Sequence, residues 1–504
     1  MSLAAWKLVI AFAACAVLVG ERWIRRPRLV TAALALIAAL GFAAYFEWGR
    51  FPRGFVHHWD MYHYYMGSKY FDEVGYEGLY DATAVAMLDS PDFQARGTLR
   101  PDDPVRNLAT NELGTAAEAY QRGLPVKARF TPQRWDTFHL ELAFWGPERS
   151  FWIPVLADHG YNPSPVAHRL YSLITSRMYE RDPDRMLVLA VIDTVLLALS
   201  LALIAWAFGV RTMLLSAIAF AVSFASPFSW IGGAFIRQDW LLFVVGGVCA
   251  WRRNRPALAG AALAAAALER VFPALFAIGI AVAIGRALWL RRRPARSHVR
   301  FLSGAAVATV LLVGASFTTS WGAGIWPRFA TRISHHASVP ATNNVGARIA
   351  VTYHIGDNSR DAVRRAKTEG RQASELWREG RYDIYADWRE LTLALGVLFL
   401  VGYVVVAWRV DEVTAMVLAT TLVTGLLMAG SYYYTFVVLL PVLVRPDRPA
   451  LGVAILLLVS YPFFLVGSDD WTFYHCSIGW TLLSILLLVA ARKGWTRVHE
   501  PTAS

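Results

Sequence analysis

Long apolar runs constrain the fold of this chain more than any other feature. The stretches 4–20, 29–46, 187–209 and 301–320 are almost free of charged residues. A helix needs about 20 apolar residues to cross a bilayer core, and only helices and closed barrels satisfy the peptide backbone in lipid. The run lengths therefore predict an all-α polytopic membrane protein.

The composition excludes several other classes. Hydrophobic residues make up 56% of the 504 residues and charged residues 17%, whereas soluble domains carry about 25% charged residues. The three cysteines form no CxxC pair or disulfide framework. Phosphate-binding loops, HExxH motifs and nucleophile elbows are absent from the sequence. These observations argue against soluble enzymes, nucleic-acid binders and disulfide-stapled modules.

Hydropathy predicts a bundle of about 13 transmembrane helices. The predicted spans are 4–20, 29–46, 187–209, 212–231, 240–251, 256–268, 271–289, 301–320, 388–408, 413–430, 432–445, 449–467 and 474–491. One alternating set of connections is rich in arginine, and it comprises 22–28, 211, 252–255, 286–300, 409, 445–448 and 492–497. Because basic residues stay in the cytoplasm, the C-terminus is predicted to be cytoplasmic. The net charge of +12 then reflects membrane topology, and no nucleic acid is expected as a partner.

The same topology divides the chain into five regions. These are N-terminal spans (1–46), a large early extracytoplasmic loop (47–186), a transmembrane core (187–323), a second extracytoplasmic loop (324–387), and C-terminal spans with a cytoplasmic tail (388–504). Aromatic residues throughout the first loop predict a folded helical cap. A cleaved signal peptide is the alternative for 4–20, but the arginines that follow it favour retention as a span. We expect a multi-pass integral membrane protein.

The start of the first loop carries the densest polar and aromatic segment, 55–86, which predicts a juxtamembrane helix. Asp60 lies in it among His57, His58 and His63, and Tyr64 shares its helical face. An acid in an enclosed pocket can act as a general base, and a helix-capping or solvated carboxylate is the alternative. The adjacent histidines point apart, so a metal site needs further ligands from elsewhere. No cofactor is predicted as a requirement, and a divalent metal stays open.

Two charged turns lie on the same side as the long loops. Arg237 and Asp239 follow a Gly-Gly pair, and Glu269 and Arg270 interrupt an apolar stretch before Pro273. Broken helices leave backbone donors and a cation facing a cavity, which suits a phosphate. The alternative in both turns is an ion pair that only tethers helices.

The later part of the chain adds weaker candidates. Thr342–Gly346 (TNNVG) includes Asn344, and a tyrosine-rich span boundary includes Tyr433. For the asparagines, turn formation is favoured over a ligand role. An aromatic belt explains the tyrosines, and the lining of a sugar pocket is the alternative. The charged stretch 360–381 predicts an amphipathic helix on the rim of the site.

These features together resemble the GT-C superfamily of polytopic glycosyltransferases, and most of all its bacterial mannosyltransferase-like branch. The resemblance rests on Asp60 early in a large first outside loop, on the break at Glu269–Pro273, on TNNVG, and on the tyrosines 432–434. It extends over about residues 29–490 and is architectural. This chain departs from the pattern by an extra first span, and by Glu-Arg at the break where Thr-Lys is expected.

The resemblance implies a membrane glycosyltransferase. Such an enzyme transfers a sugar, here a hexose such as mannose, from a polyprenyl-phosphate carrier to a glycan, glycolipid or protein acceptor outside the cytoplasm, with inversion. Asp60 is then the catalytic base, and the substrate and phosphate site draws on Arg237, Asp239, Glu269, Arg270, His57, His58, Tyr64, Asn344 and Tyr433.

Three other functions fit parts of the sequence. A transporter or lipid flippase also needs intramembrane charges and broken helices, but it usually has related halves. An O-antigen-ligase-type enzyme also uses lipid-linked donors, with its major loop late in the chain. A scaffold or sensor with an outside cap leaves the clustered Asp, His and Arg residues unexplained.

Overall fold

Apolar helices form the body of the protein. A computed structural model describes residues 1–24, 26–52, 54–146, 148–176, 178, 183–353, 359–465 and 470–497, and Arg25 of the first basic loop lies outside these ranges. In the described part, seven helices are long and apolar enough to cross a membrane: Leu3–Gly20, Pro27–Tyr45, Arg185–Phe208, Phe272–Arg291, Arg296–Ser316, Arg389–Ala407 and Asp470–Arg492. This confirms the helical membrane class. The further apolar helices are only 10–17 residues long, so the count of about 13 spans stays a prediction.

The N-terminal region contains α1 (Leu3–Gly20) and α2 (Pro27–Tyr45), followed by a 3-10 turn at Glu47–Gly49. The hydroxyl of Ser2 accepts the amide of Ala5 and so begins α1, and Pro27 supplies the fixed φ that suits the first position of α2. Both helices pack on each other and on the core of the bundle.

The first long loop folds into short helices. They are α3 (His58–Met61), a π-helix (Tyr62–Met66), α4 (Gly67–Lys69), α5 (Phe71–Val74), α6 (Leu79–Asp89), α7 (Pro91–Ala95), α8 (Ala116–Lys127), α9 (Pro132–Phe144), α10 (Arg149–Leu156) and α11 (Pro165–Thr175), with an antiparallel pair β1 (Pro104–Arg106) and β2 (Leu113–Thr115). The expected continuous helix over 55–86 is therefore broken into several pieces. Gly75, with φ +60°, ends α5.

The middle of the chain returns to apolar helices. These are α12 (Pro183–Phe208), α13 (Val210–Val222), α14 (Phe228–Ile231), α15 (Asp239–Arg252), α16 (Pro256–Glu269), a 3-10 segment (Phe272–Ala277), α17 (Ile278–Arg291) and α18 (Arg296–Ser316). The helix break predicted at Glu269–Pro273 falls between α16 and the 3-10 segment.

The second long loop and the C-terminal region complete the structure. They contain a 3-10 turn (Gly322–Gly324), α19 (Ile325–Ser338), β3 (Asn344–Val345), α20 (Ala347–Thr352), α21 (Ser359–Glu369), α22 (Ala373–Asp387), α23 (Arg389–Ala407), α24 (Glu412–Leu418), α25 (Thr420–Leu426), β4 (Ala429–Gly430), a 3-10 helix (Ser431–Leu443), α26 (Ala450–Ser460), a 3-10 segment (Tyr461–Leu465) and α27 (Asp470–Arg492). The single amphipathic helix expected over 360–381 is wrong, because Gly370 with φ +66° turns the chain between α21 and α22.

Two large hydrophobic cores and two small apolar clusters hold the described elements. The larger core lies among the apolar helices, and the cysteines Cys15, Cys249 and Cys476 are buried in it. The smaller core lies in the first long loop around the buried tryptophans Trp145 and Trp152. The first loop thus has an apolar interior of its own, which a mere connector lacks.

Candidate functional site

A cavity of about 880 Å³ lies where the two long loops meet the apolar helices. Its wall comes from five segments that are distant in sequence. They are the start of the first loop (54–64), α10 and the link that follows it (151, 158–162), the turn region 228–237, parts of the second long loop (336–343, 359–378), and two tyrosines at the start of the 3-10 helix Ser431–Leu443 (432–433). Carboxylate, imidazole, guanidinium and aromatic groups all face this space.

The turn between α14 and α15 fits tightly against the start of the first loop. Gly233 has φ +62°, and a Cβ there would lie 1.7 Å from the carbonyl oxygen of Phe55. The amide of His57 donates to the Gly233 carbonyl at 2.9 Å. Ile236 also lies in the left-handed region, with φ 47°, where a β-branched residue is strained. The close approach fixes the turn beside α3.

This docking places Asp60 next to Arg237. The Asp60 side chain is 3% exposed and forms an ion pair with the Arg237 guanidinium, and its second oxygen accepts the amide of Phe235 at 2.9 Å. Arg237 also donates to the Trp230 carbonyl and lies 4.8 Å from the ring centre of Tyr432. Both charged groups line the cavity. The structure therefore joins two residues that the sequence singled out separately.

The surroundings keep Asp60 ionised. Burial alone would raise the pKa of its carboxyl, but the charge of Arg237, together with His57 and the Phe235 amide, holds that pKa below its ordinary value. Burial lowers the pKa of His57 to about 4, and the neighbouring Arg237 contributes to this shift. Neutral His57 accepts the amide of Asp60 at its Nδ1 atom, 3.2 Å away, and so caps α3. The cavity wall thus places an anion, Asp60, next to a cation, Arg237, and a neutral imidazole, His57.

A second acid, Asp158, lines the same cavity, and it was not predicted from the sequence as a site residue. Its carboxylate accepts the indole N–H of Trp59 at 2.7 Å. Burial opposes ionisation, but His63 and His159 hold the pKa of Asp158 below its ordinary value. The available signal was an acid next to a histidine in the turn 157–160, at the end of an aromatic loop.

Arg270 has different neighbours. Its guanidinium donates to the Tyr171 hydroxyl at 3.2 Å, and that hydroxyl donates to Asp239 at 2.8 Å. It lies 5.6 Å from the ring centre of Tyr64, and Glu269 is buried beside it. Arg270, Asp239 and Glu269 are absent from the cavity wall. They form a packed polar cluster behind Tyr64.

The remaining predicted residues divide in the same way. His57, His58, Tyr64 and Tyr433 line the cavity, and Tyr64 donates to the side chain of Asn162 at 3.0 Å. The Asn344 amide is instead engaged with the amide of Ala341 and the carbonyl of Met428, and its neighbour Asn343 reaches the cavity wall. Asn344 thus stabilises the backbone of its own loop, where β3 pairs with β4.

The described part of the chain offers no preformed metal centre. No group of three His, Cys, Asp or Glu side chains in it is arranged to hold a metal ion. The histidines 57 and 58 differ in environment, since His57 caps α3 while His58 lies against the rings of Phe144 and Trp145.

Fold and site together define a helical membrane protein with a polar, aromatic-walled cavity beside its apolar helices. No protein-family model, curated protein or solved structure matches the chain. The function is therefore argued from the cavity itself.

Proposed function

We propose that the protein is a membrane glycosyltransferase that uses a lipid-linked sugar donor. The observation that carries this proposal is the ionised Asp60, paired with Arg237 in the wall of an aromatic cavity next to apolar helices. A sugar presents hydroxyl groups to carboxylates and imidazoles, and it presents C–H faces to aromatic rings. The rings of Trp59, Tyr64 and Tyr432 supply such faces here.

The ion pair fits the charge changes of this reaction. The acceptor oxygen forms a bond to the anomeric carbon, the bond from that carbon to the carrier phosphate breaks, and the acceptor proton passes to Asp60. Protonated Asp60 no longer neutralises Arg237. The guanidinium charge is then free to compensate the leaving phosphate as its charge develops. A single displacement of this kind inverts the anomeric configuration.

Other parts of the proposal follow from the predicted topology. The cavity opens on the extracytoplasmic side of a bacterial inner membrane, where a polyprenyl-phosphate hexose, such as a mannose, enters from the lipid and a glycan, glycolipid or protein acceptor enters from water. Arg270 does not contact the carrier phosphate in this arrangement, because Tyr64 and Tyr171 lie around it and it is absent from the cavity wall.

The test measures sugar transfer by the purified protein from radiolabelled polyprenyl-phosphate hexoses to a membrane extract, with and without a chelator. Asp60→Asn is expected to lower the rate by at least about 100-fold, which is the scale of a lost general base. Asp158→Asn is the matched control, because it makes the same change in the same cavity and its amide oxygen still accepts the Trp59 N–H.

The outcomes separate three cases. Loss of transfer in Asp60→Asn alone supports the proposed base. Loss in Asp158→Asn alone moves the base to the other acid of the cavity and leaves Asp60 a structural partner of Arg237. Absence of transfer by the wild-type protein from every donor tested would remove the glycosyltransferase proposal.

A further inference from the structure

Two arginines of the second long loop have no acidic partner among the described residues. They are Arg348 on α20 and Arg381 on α22, whose guanidinium carbons lie 4.3 and 4.9 Å from the ring centre of Tyr385. Neither forms an ion pair in the described part of the chain, whereas Arg237, Arg211 and Arg149 each pair with a carboxylate. Two like charges thus share one buried ring.

The hydrogen bonds of the two guanidinium groups differ. Arg381 is 4% exposed, and it donates to the carbonyl of Thr352 at 3.1 Å and to the hydroxyls of Thr352 and Tyr385 at 3.3 and 3.4 Å. Arg348 is partly exposed, and its buried Nε has no hydrogen-bond partner among the described residues. Arg381 is therefore held in place, and Arg348 has donors to offer.

The environment makes this arrangement costly without a counterion. Burial lowers the pKa of Arg348, and the like charge of Arg381 lowers it further. A ring face attracts a cation, but it does not neutralise two of them. Buried charges are normally paired, and arginine forks match the oxygen geometry of phosphate.

The position of the pair indicates what anion can reach it. α20 packs against α23 and α27, two of the helices that are long enough to cross a membrane. Tyr353, directly after α20, stacks on Tyr474 at 4.1 Å and lies 5.4 Å from the ring of Trp471, near the start of α27. Aromatic residues at the ends of apolar helices mark the level of lipid headgroups.

We propose that Arg348 and Arg381 form a binding site for a phosphate group, presented by a lipid headgroup or as free phosphate. The site is separate from Asp60 and Arg237, and it does not depend on the proposed transfer reaction. Arg348 contributes N–H donors that have no partner among the described residues, Arg381 contributes fixed charge, and both guanidinium groups lie at the ring of Tyr385. β3 and β4 connect this region to Tyr432 of the cavity.

The experiment measures binding to the full-length protein in detergent, by native mass spectrometry and by thermophoresis. The probes are undecaprenyl phosphate, neutral undecaprenol and inorganic phosphate. Arg348→Gln is the main variant, because the buried Nε of Arg348 has no hydrogen-bond partner among the described residues. The matched control is Arg364→Gln on α21, whose side chain is 78% exposed.

Wild-type protein is expected to bind undecaprenyl phosphate more tightly than undecaprenol. Arg348→Gln should lower the affinity for undecaprenyl phosphate by about tenfold, the scale of a lost charge-assisted hydrogen bond. Arg348→Lys should restore part of that affinity. Arg364→Gln should leave binding unchanged. Binding of inorganic phosphate without preferential binding of undecaprenyl phosphate would identify free phosphate as the source. Binding of undecaprenyl phosphate without binding of inorganic phosphate would identify the lipid headgroup.

Equal binding of the phosphorylated and neutral lipids, together with no binding of inorganic phosphate, would overturn the proposal. Equal affinity of wild-type and Arg348→Gln for both phosphate probes would also overturn it. Since binding is read directly, an absence of sugar transfer has no bearing on this result, and the two proposals can fail separately.

Discussion

The two charged turns that the sequence paired, around Arg237 and around Arg270, have opposite surroundings. Arg237 is balanced by one carboxylate, Asp60, and its side chain is 15% exposed to the cavity. Arg270 lies among two acids and a tyrosine hydroxyl, away from the cavity wall. Both arginines are largely buried, so burial alone does not identify a ligand-facing charge. The difference is that Arg237 faces the open space of the cavity, whereas Arg270 is surrounded by protein groups.

The largest expected effect concerns the Asp60 and Arg237 pair. Asp60→Asn or Arg237→Gln leaves one buried charge without its partner, which costs about 3–5 kcal/mol of stability. The double variant removes both charges and should cost clearly less than the sum of the single variants. Chemical unfolding in mixed micelles, followed by circular dichroism, measures all three. Additive losses would show that the two side chains are not coupled.

A smaller effect is expected at the second turn. Arg270→Gln loses a hydrogen bond to Tyr171 and one positive charge, and either Asp239 or Glu269 can take up a proton to reduce the remaining charge. We expect a loss of about 1–3 kcal/mol, the scale of a charged hydrogen bond, and no change in sugar transfer by the folded protein. The same unfolding assay and the transfer assay check this. A transfer defect in stably folded Arg270→Gln would return Arg270 to the phosphate site.

The smallest expected effect is a pH dependence of stability that arises from His57, which contacts the turn around Arg237. Burial lowers the pKa of His57 to about 4, so the unfolded chain, with an ordinary value near 6.5, binds more protons there between these two values. Stability should therefore fall as the pH drops from 7 to 6, by about 0.7 kcal/mol for a single group of this kind.

His57→Asn is the control for this measurement, because asparagine keeps an acceptor for the Asp60 amide and does not titrate. Its stability should fall less than that of the wild type over the same pH interval. Identical pH profiles of the two proteins would contradict the buried, neutral state of His57.

Local sequence patterns predicted the elements better than the contacts between them. The apolar runs gave the membrane helices, and Pro273 marked the break after α16. The pairing of Asp60 with Arg237 could not be predicted from the sequence. It depends on the close backbone contact between Gly233 and Phe55, which are far apart in the chain, and local periodicity carries no information about such contacts. Interior hydrogen bonding likewise decides that Arg270 faces Tyr171.

The roles of single residues were out of reach of the sequence for similar reasons. Asn344 and Asn343 are neighbours in sequence, but the first holds the backbone while the second faces the cavity. Asp158 lacked any motif, and its importance comes from the tryptophan and histidines that folding brings to it. One glycine, Gly370, turned the expected long amphipathic helix into two.

The burial of all three cysteines has a practical consequence. Cys15, Cys249 and Cys476 are shielded in the larger core, so the native chain offers thiol reagents no accessible target. A cysteine introduced at the exposed position 364 is then the reactive thiol of the folded protein. Its reaction with a membrane-impermeant maleimide in intact cells reports which side of the membrane carries the second long loop, and a spin label at the same position reports how that loop moves.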